Sequence, residues 1–442
     1  MRVEIQKRSL KRSEELWKKA IKLTPAGTQC YSHGPTQYVS GVSPKFLVRG
    51  SGCFVWDADG NKYLDFSSGG FPIILGYGYK PVADAVYRQL KNGTLFPMMN
   101  PLEVEVAEML TKLIPCAEMV RFGKNGGDVT SMAVRAAKTY TGRDLVVSQG
   151  YHGKDDWYIC TTERNGGVLK GARKSIETFK YNDLESFKKI LDEKGDKVAC
   201  VIMEPVQLTP PKENFLSSIK KIAHKHGALL VFDEVITGFR FDMGGAQNLF
   251  NVTPDLGCFG KSMANGLPVA ALVGKTDIME SFGFNNKAFF STTFGGEAAS
   301  LMAAKATMQE LQDRKVIPFI WKQGKRMKDG FNKLVKDHGL ESHLACEGYP
   351  VWNDPDFVAD KLGNSLEKKS LFQQEAMKRG LLAELCHAMS FAHTNQYVDM
   401  GLEIYNTSMQ EFKRNLDKVK NGTNIRKLVE GNVIKPVFKR LD

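Results

Sequence analysis

The run Leu229-Leu230-Val231-Phe232-Asp233-Glu234-Val235 places four apolar residues directly before two carboxylates. It reads as a strand that delivers Asp233 to the C-terminal edge of a sheet, where open α/β sheets bind their ligands. A lone carboxylate is costly there unless it meets a cation or several donors. The competing reading is that Asp233 caps the next turn.

On both sides of this run the pattern repeats. Between about residues 80 and 300, helices of period 3.6 alternate with short β-branched runs at Met119–Phe122, Leu145–Ser148, Val198–Met203, Leu229–Asp233, Cys258–Gly260 and Ala270–Gly274. This alternation predicts an α/β domain over 71–310, its large, mainly parallel sheet covered by helices on both faces. Residues 1–70 read as an arm and hairpin. An amphipathic helix carries Leu16, Trp17, Ala20, Ile21 and Leu23 on one side and stops at Pro25 and Gly27; strands Phe46–Arg49, Phe54–Trp56 and Lys62–Phe66 follow. The turn Asp57-Ala58-Asp59-Gly60-Asn61 has the alternating carboxylates of a calcium loop. Its glycine falls fourth instead of sixth and Ser68 stands where a bidentate Glu is needed, so it reads as a hairpin turn. Residues 311–442 turn helical and Lys-rich, with a helix through Phe372 to Lys378, a stop at Arg379-Gly380 and a strand Leu381–Leu385, and fit a smaller α+β domain.

Composition narrows the class. The 442 residues are 42% hydrophobic and 25% charged, which excludes disordered and collagenous chains. Lys and Arg outnumber Asp and Glu by 61 to 49, a net charge of +12, but the excess is spread along the chain with no basic block interleaved with aromatics. No nucleic-acid partner is expected. No run approaches the ~18 apolar residues of a spanning helix, so no membrane partner is expected either. The eight cysteines form no CxxC pair and no Cys/His cluster, so neither a disulfide framework nor a metal site is expected. Reduced thiols, together with Glu4, Glu14 and Glu15 in an N-terminus that lacks an apolar core, point to a cytoplasmic protein.

Two further stretches can carry chemistry. Gly123-Lys124-Asn125-Gly126-Gly127-Asp128 joins a strand to a helix whose apolar positions are Val129, Met132, Ala133, Ala136, Ala137 and Tyr140. Such a junction is either a tight turn or a phosphate cradle made of free N–H groups at a helix N-terminus. Gly257-Cys258-Phe259-Gly260-Lys261-Ser262 resembles the tail of a P-loop, but Asp255 stands at its first glycine, which excludes that motif. Lys261 remains as an ordinary lysine after a strand or as a partly desolvated, imine-forming one. Taken jointly, a phosphate cradle, a carboxylate for a protonated ring nitrogen and an amine for an aldehyde describe pyridoxal 5'-phosphate.

The stretches 121–128 (RFGKNGGD), 150–153 (GYHG), 204–206 (EPV), 233–240 (DEVITGFR), 260–268 (GKSMANGLP) and 292–297 (TTFGGE) resemble the class III, fold type I aminotransferases, with the glutamate-1-semialdehyde aminomutase branch nearest in pattern. The resemblance implies that Lys261 links to the cofactor and moves the proton, that Asp233 partners the ring nitrogen, and that Val235 and Tyr151 cover the ring's two faces. It further implies that Gly126 and Gly127 meet the phosphate, and that Thr293 reaches the phosphate in a neighbouring subunit of a homodimer. Glu204 either orients the Asp233 region or ends its strand with a buried hydrogen bond, and His152 is either a cofactor contact or a structural histidine.

Departures from that pattern bear on substrate. The cradle reads Asn125-Gly126-Gly127 where relatives have hydroxyls, so it relies on main chain, Asn125 or a neighbour. The element Gln29 to Gly34 has no arginine for a substrate carboxylate, and Gly70 stands where relatives carry a pocket tryptophan. Arg240 either meets a substrate carboxylate or anchors its own loop. These features predict an aminotransferase moving an amino group from a donor to a bulkier, uncharged carbonyl acceptor by ping-pong chemistry. An amino-sugar or polysaccharide precursor fits; the alternatives are intramolecular aminomutation and a non-catalytic binding module.

Overall fold

The computed structural model describes residues 5, 8–383, 386–437, 439 and 440. Packing groups the chain into two compact units: Met1–Gly70 with Ile74–Tyr79 and Pro318–Val437, and Phe71–Ile73 with Lys80–Ile317 and the described residues of Phe438–Asp442.

In the first unit, the helix Lys11–Leu23 leads to β1 (Leu47–Ser51), β2 (Phe54–Asp57) and β3 (Lys62–Asp65). On the apolar side of this helix Ile21 and Leu23 are exposed, and Leu16, Trp17 and Ala20 are partly covered. The helix cap comes mainly from the hairpin: Arg12 N and Ser13 N donate to Asp59 at 2.9 Å each, while Lys11 N donates to Ser9 Oγ at 3.3 Å. Asp57 accepts from Asp59 N, Asn61 N and Asn61 Nδ2, so this is the hairpin turn the spacing predicts.

The second unit holds seven strands: β4 (Met119–Gly123), β5 (Leu145–Gln149), β6 (Ile176–Thr178), β7 (Val198–Met203), β8 (Leu229–Asp233), β9 (Leu256–Phe259) and β10 (Ala270–Gly274). Their order is β4-β10-β9-β8-β7-β5-β6, parallel except that β10 runs against both β4 and β9. Alternating side chains feed two cores. Val231, Cys258 and Leu272 pack with Val129, Met132, Ala133, Ala136 and Ala137 of the helix Gly126–Thr141 on one face. Leu230, Phe232 and Val201 pack with Phe187, Leu191, Phe215 and Ile219 of the helices Leu184–Lys194 and Phe215–Lys225 on the other. Both faces are therefore dry, and the one place for polar chemistry is the strand ends.

The remaining strands belong to the first unit. β11 (Leu344–Tyr349) and β12 (Trp352–Phe357) form a hairpin that the Lys-rich composition does not announce, and β13 (Leu381–Leu382) pairs in parallel with β3. Glu384 and Leu385, the last residues of the strand expected there, lie outside the described residues.

Candidate active site

The ladders bring the C-terminal ends of the inner strands level. Gln149 pairs with Met203, Met203 with Phe232, and Asp233 with Cys258. The residues just past those ends, Gly150 to Gly153, Glu204, Asp233 to Val235 and Gly260-Lys261, therefore share one edge. The loop 124–127 leaves β4 at the same edge, because β4 is antiparallel to β10 and so runs with the others.

Asp233 is 6% exposed. Its Oδ1 accepts from Val235 N at 3.1 Å, and its Oδ2 lies 2.8 Å from Nδ1 of the buried His152. The other imidazole nitrogen faces the main-chain oxygen of Gln149 at 2.9 Å. A carbonyl can only accept, so Nε2 is the donor on that side and Nδ1 is the nitrogen that faces the Asp233 carboxyl group. His152 touches the carboxylate itself, a contact that neither sequence-based expectation for it specifies.

Glu204 ends its strand in hydrogen bonds: its Oε2 accepts from Tyr151 N at 3.3 Å and from Gln207 Nε2 at 3.2 Å. Burial and the charge of Asp233 raise its pKa, opposed by His152, Gln207 and Lys261. Its neighbour Gly150 has φ +108°, and a Cβ there would lie 2.6 Å from that Oε2. Tyr151 is half exposed, and its ring meets Tyr158 edge-on at 5.6 Å.

The glycine loop is built to leave two donors open. Asp128 Oδ2 accepts from Lys124 N and Asn125 N, both at 2.9 Å. Gly126 and Gly127 follow as the first residues of the helix Gly126–Thr141, with no carbonyl one turn back to receive their N–H groups. Gly126 lies on Val235, where a Cβ would come within 3.1 Å of Cγ1. Thr130 Oγ1 donates to His152 O at 2.7 Å, and Trp157 Nε1 donates to Ser131 Oγ at 2.9 Å, tying this helix to the Tyr151-His152-Gly153 loop. The closest approach is backbone to backbone: Gly153 has φ +108°, and a Cβ on it would lie 2.8 Å from Gly127 Cα. Gly153→Ala is expected to cost about 2 kcal/mol in a denaturant titration. Gly166→Ala, with open space around it, should be near neutral.

Lys261 follows the extended Gly260 and has φ +39°. Its Nζ lies 5.2 Å from the ring centroid of Phe71. Arg240 is completely buried and donates through Nη2 to Phe71 O at 2.7 Å. That bond anchors the loop after Asp233 to Phe71. Thr293 is exposed on this chain and is not among the residues gathered at the strand ends, and Asn125 is exposed at the rim of the loop. Phe71, which no sequence motif singles out, is the additional residue beside the amine.

Glu234, next to Asp233, supports the edge from below. Burial pushes its pKa up to about 7, against donation from Thr237 Oγ1, Gln247 N at 2.8 Å and Ala246 N at 2.7 Å. The folded value exceeds the ordinary one near 4.5, so the protonated form favours folding. Its contribution is complete below about pH 4.5 and is lost as pH rises through about 7, by about 3 kcal/mol. Urea titrations at pH 5 and 8 should show that loss in the wild type and a flatter dependence in Glu234→Gln.

The first unit has a cavity of about 260 Å³ lined by His33, Tyr38, Lys45, Ser67, Tyr77 and Leu382, among others. Gly70 borders His33: with φ +73°, a Cβ there would stand 3.3 Å from His33 Nε2.

A model of the class-III aminotransferase family matches residues 38–392. A 3-aminobutyryl-CoA aminotransferase from Cloacimonas acidaminovorans is 33% identical over 420 residues, covering 93% of this chain and all of that protein. A glutamate-1-semialdehyde 2,1-aminomutase from Alkaliphilus metalliredigens is 34% identical over 349 residues, 75% of this chain and 78% of that one. Among solved structures, an omega-transaminase from Sphaerobacter thermophilus matches with a TM-score of 0.84 at 25% identity, covering 91% of this chain and 98% of that one.

Proposed function

The chain belongs to the class-III aminotransferases, fold type I enzymes that use pyridoxal 5'-phosphate, and on that premise we propose that it transfers an amino group between separate donor and acceptor molecules, at a carbon not adjacent to a free carboxylate. The single observation that carries the substrate reading is Arg240. The one arginine of the DEVITGFR stretch is buried with its Nη2 on Phe71 O, and the aromatic ring of Phe71 lies beside the amine. A β-amino or ω-amino substrate, or one whose carboxyl is masked as a thioester, suits such walls. The name of the Cloacimonas relative supports this, since 3-aminobutyryl-CoA has its amine on the β carbon of a thioester. An amino-sugar acceptor finds no support among these relatives.

The residues present fit the cofactor. Gly126 and Gly127 offer open N–H groups at a helix N-terminus for the phosphate. Glycine is tied to that loop by Val235 below and Gly153 beside it. The Asp233–His152 dyad offers an anion for the ring nitrogen, Val235 and Tyr151 offer faces for the ring, and Lys261 an amine for the aldehyde. When bound, the cofactor supplies an aldehyde that links to amines and a cationic ring that withdraws electrons from the carbon losing its proton. Lys261 would carry that proton, and Glu204 would hold the Tyr151 main chain in place.

Exposed Leu95, Phe96, Met98, Met99 and Phe294, beside the exposed Thr293, support a homodimer in which this face is covered and Thr293 serves the partner's phosphate. Among the described residues no helix is long and apolar enough to cross a membrane; with its free cysteines, the chain fits the cytoplasm. The second reading is aminomutation, favoured by the Alkaliphilus relative. Enzyme in the pyridoxamine form, given candidate aldehydes and 3-oxo thioesters, should need an added amino donor for continued turnover. Full turnover without a donor would support the mutase and overturn the proposal.

A further inference from the structure

Phe71 has φ +89°, a left-handed conformation in which a bulky aromatic is strained. Pro72 follows it and restricts it further. Such a residue persists only where its surroundings fix it, and here they do. Its main-chain oxygen accepts from Arg240 Nη2 at 2.7 Å and from Ser262 Oγ at 3.2 Å. The buried Arg240 guanidinium lies 5.6 Å from the Phe71 ring centroid, and Lys261 Nζ lies 5.2 Å from the same ring. Lys261 is itself left-handed. Two strained residues thus face each other, and the anchor between them belongs to the same loop that follows Asp233.

We infer that Phe71 is the specificity-determining wall beside the reacting amine, and that Arg240 and Ser262 are positioning residues that hold its ring there. This rests on the reading of Lys261 as the amine that links to the cofactor. The ring occupies space that a glycine at this position would leave open without strain. The wall limits the substituent next to the reacting carbon: slender apolar groups pass along the ring, and bulky groups meet it. The strain is maintained for that selectivity, because a glycine would satisfy the backbone more cheaply.

Alkoxyamines test this without any amino transfer, because they strip a lysine-linked cofactor at a rate read from its visible spectrum. Holoenzyme is treated with methoxyamine and with O-benzylhydroxylamine. Wild type should favour the smaller reagent, and Phe71→Gly should shift the rate ratio at least 10-fold toward the benzyl reagent. Phe71→Ala should make the same shift, yet unfold at a temperature several degrees below Phe71→Gly, because it retains the left-handed strain. An unchanged rate ratio in Phe71→Gly overturns the wall. An alanine variant as stable as the glycine variant overturns the strain. Loss of donor-dependent turnover beside an intact alkoxyamine preference would instead overturn the functional reading alone.

Discussion

Lys261→Ala is expected to lower amino transfer by at least about 10⁴-fold while the protein stays folded. On the proposed roles the substitution would remove both the covalent link to the cofactor and the group that moves the proton, and positioned proton transfer alone accounts for about 10² to 10⁴. Folding should survive because little of the local structure depends on the amine. The short turn Lys261–Ala264 is fixed by its ends: Asn265 at φ +46° and Gly266 at φ +105°, where a Cβ would lie 2.6 Å from Ile73 Cδ1. Among the side-chain interactions lost with Lys261 is that of its ammonium with the Phe71 ring at 5.2 Å, worth about 1 kcal/mol. A melting temperature within a few degrees of wild type, with activity near background, is therefore the expected pair of results. Reduction with borohydride followed by peptide mass analysis gives the direct check. Wild type should show the cofactor mass on the peptide containing position 261, and the variant should show it nowhere. Cofactor mass trapped on another lysine, or a variant that retains a tenth of its activity, would remove Lys261 from the chemistry.

The strands that matter most were legible because they are apolar on both faces. Val198–Met203, Leu229–Asp233 and Ala270–Gly274 have the bounds that the sequence pattern predicts, since burial on both sides demands an unbroken apolar run and the first polar residue marks the sheet edge. β6 is only Ile-Glu-Thr, too short to show a period, and β12 reads Trp-Asn-Asp-Pro-Asp-Phe, whose composition speaks for a turn. At the site, residue types were legible and contacts were not. His152 and Asp233 are 81 positions apart and meet only because β5 and β8 flank β7, a fact of strand order that no local pattern carries. Phe71 was hidden for the opposite reason. Its interest lies in a left-handed backbone within Gly-Gly-Phe-Pro, a stretch that reads as a loop, and in a donor from Arg240, 169 residues away.

Asp233→Asn should lower kcat/KM by about 100-fold or more, since removing one partner from a buried charge pair costs about 3 kcal/mol or more and each 1.4 kcal/mol is tenfold. The asparagine keeps the shape of the carboxylate and can still accept from Val235 N, so the backbone turn that Asp233 holds at 3.1 Å is preserved. What it cannot do is balance a proton on the cofactor ring. The dyad geometry sharpens the expectation. With Nε2 of His152 facing Gln149 O, Nδ1 faces the Asp233 carboxylate. An asparagine amide can instead donate to Nδ1, so the contact is kept while the carboxylate's charge is lost. His152→Asn, which keeps the anion and removes its positioning partner, should therefore lose less, about 10-fold, and should mainly lower kcat instead of raising KM. The two variants together with the double mutant form a cycle, and a dyad acting as one unit predicts that the double mutant is scarcely worse than Asp233→Asn. Independent, additive losses would mean that His152 acts on the site by some route other than Asp233. An Asp233→Asn enzyme within threefold of wild type would mean that no protonated ring nitrogen depends on this carboxylate.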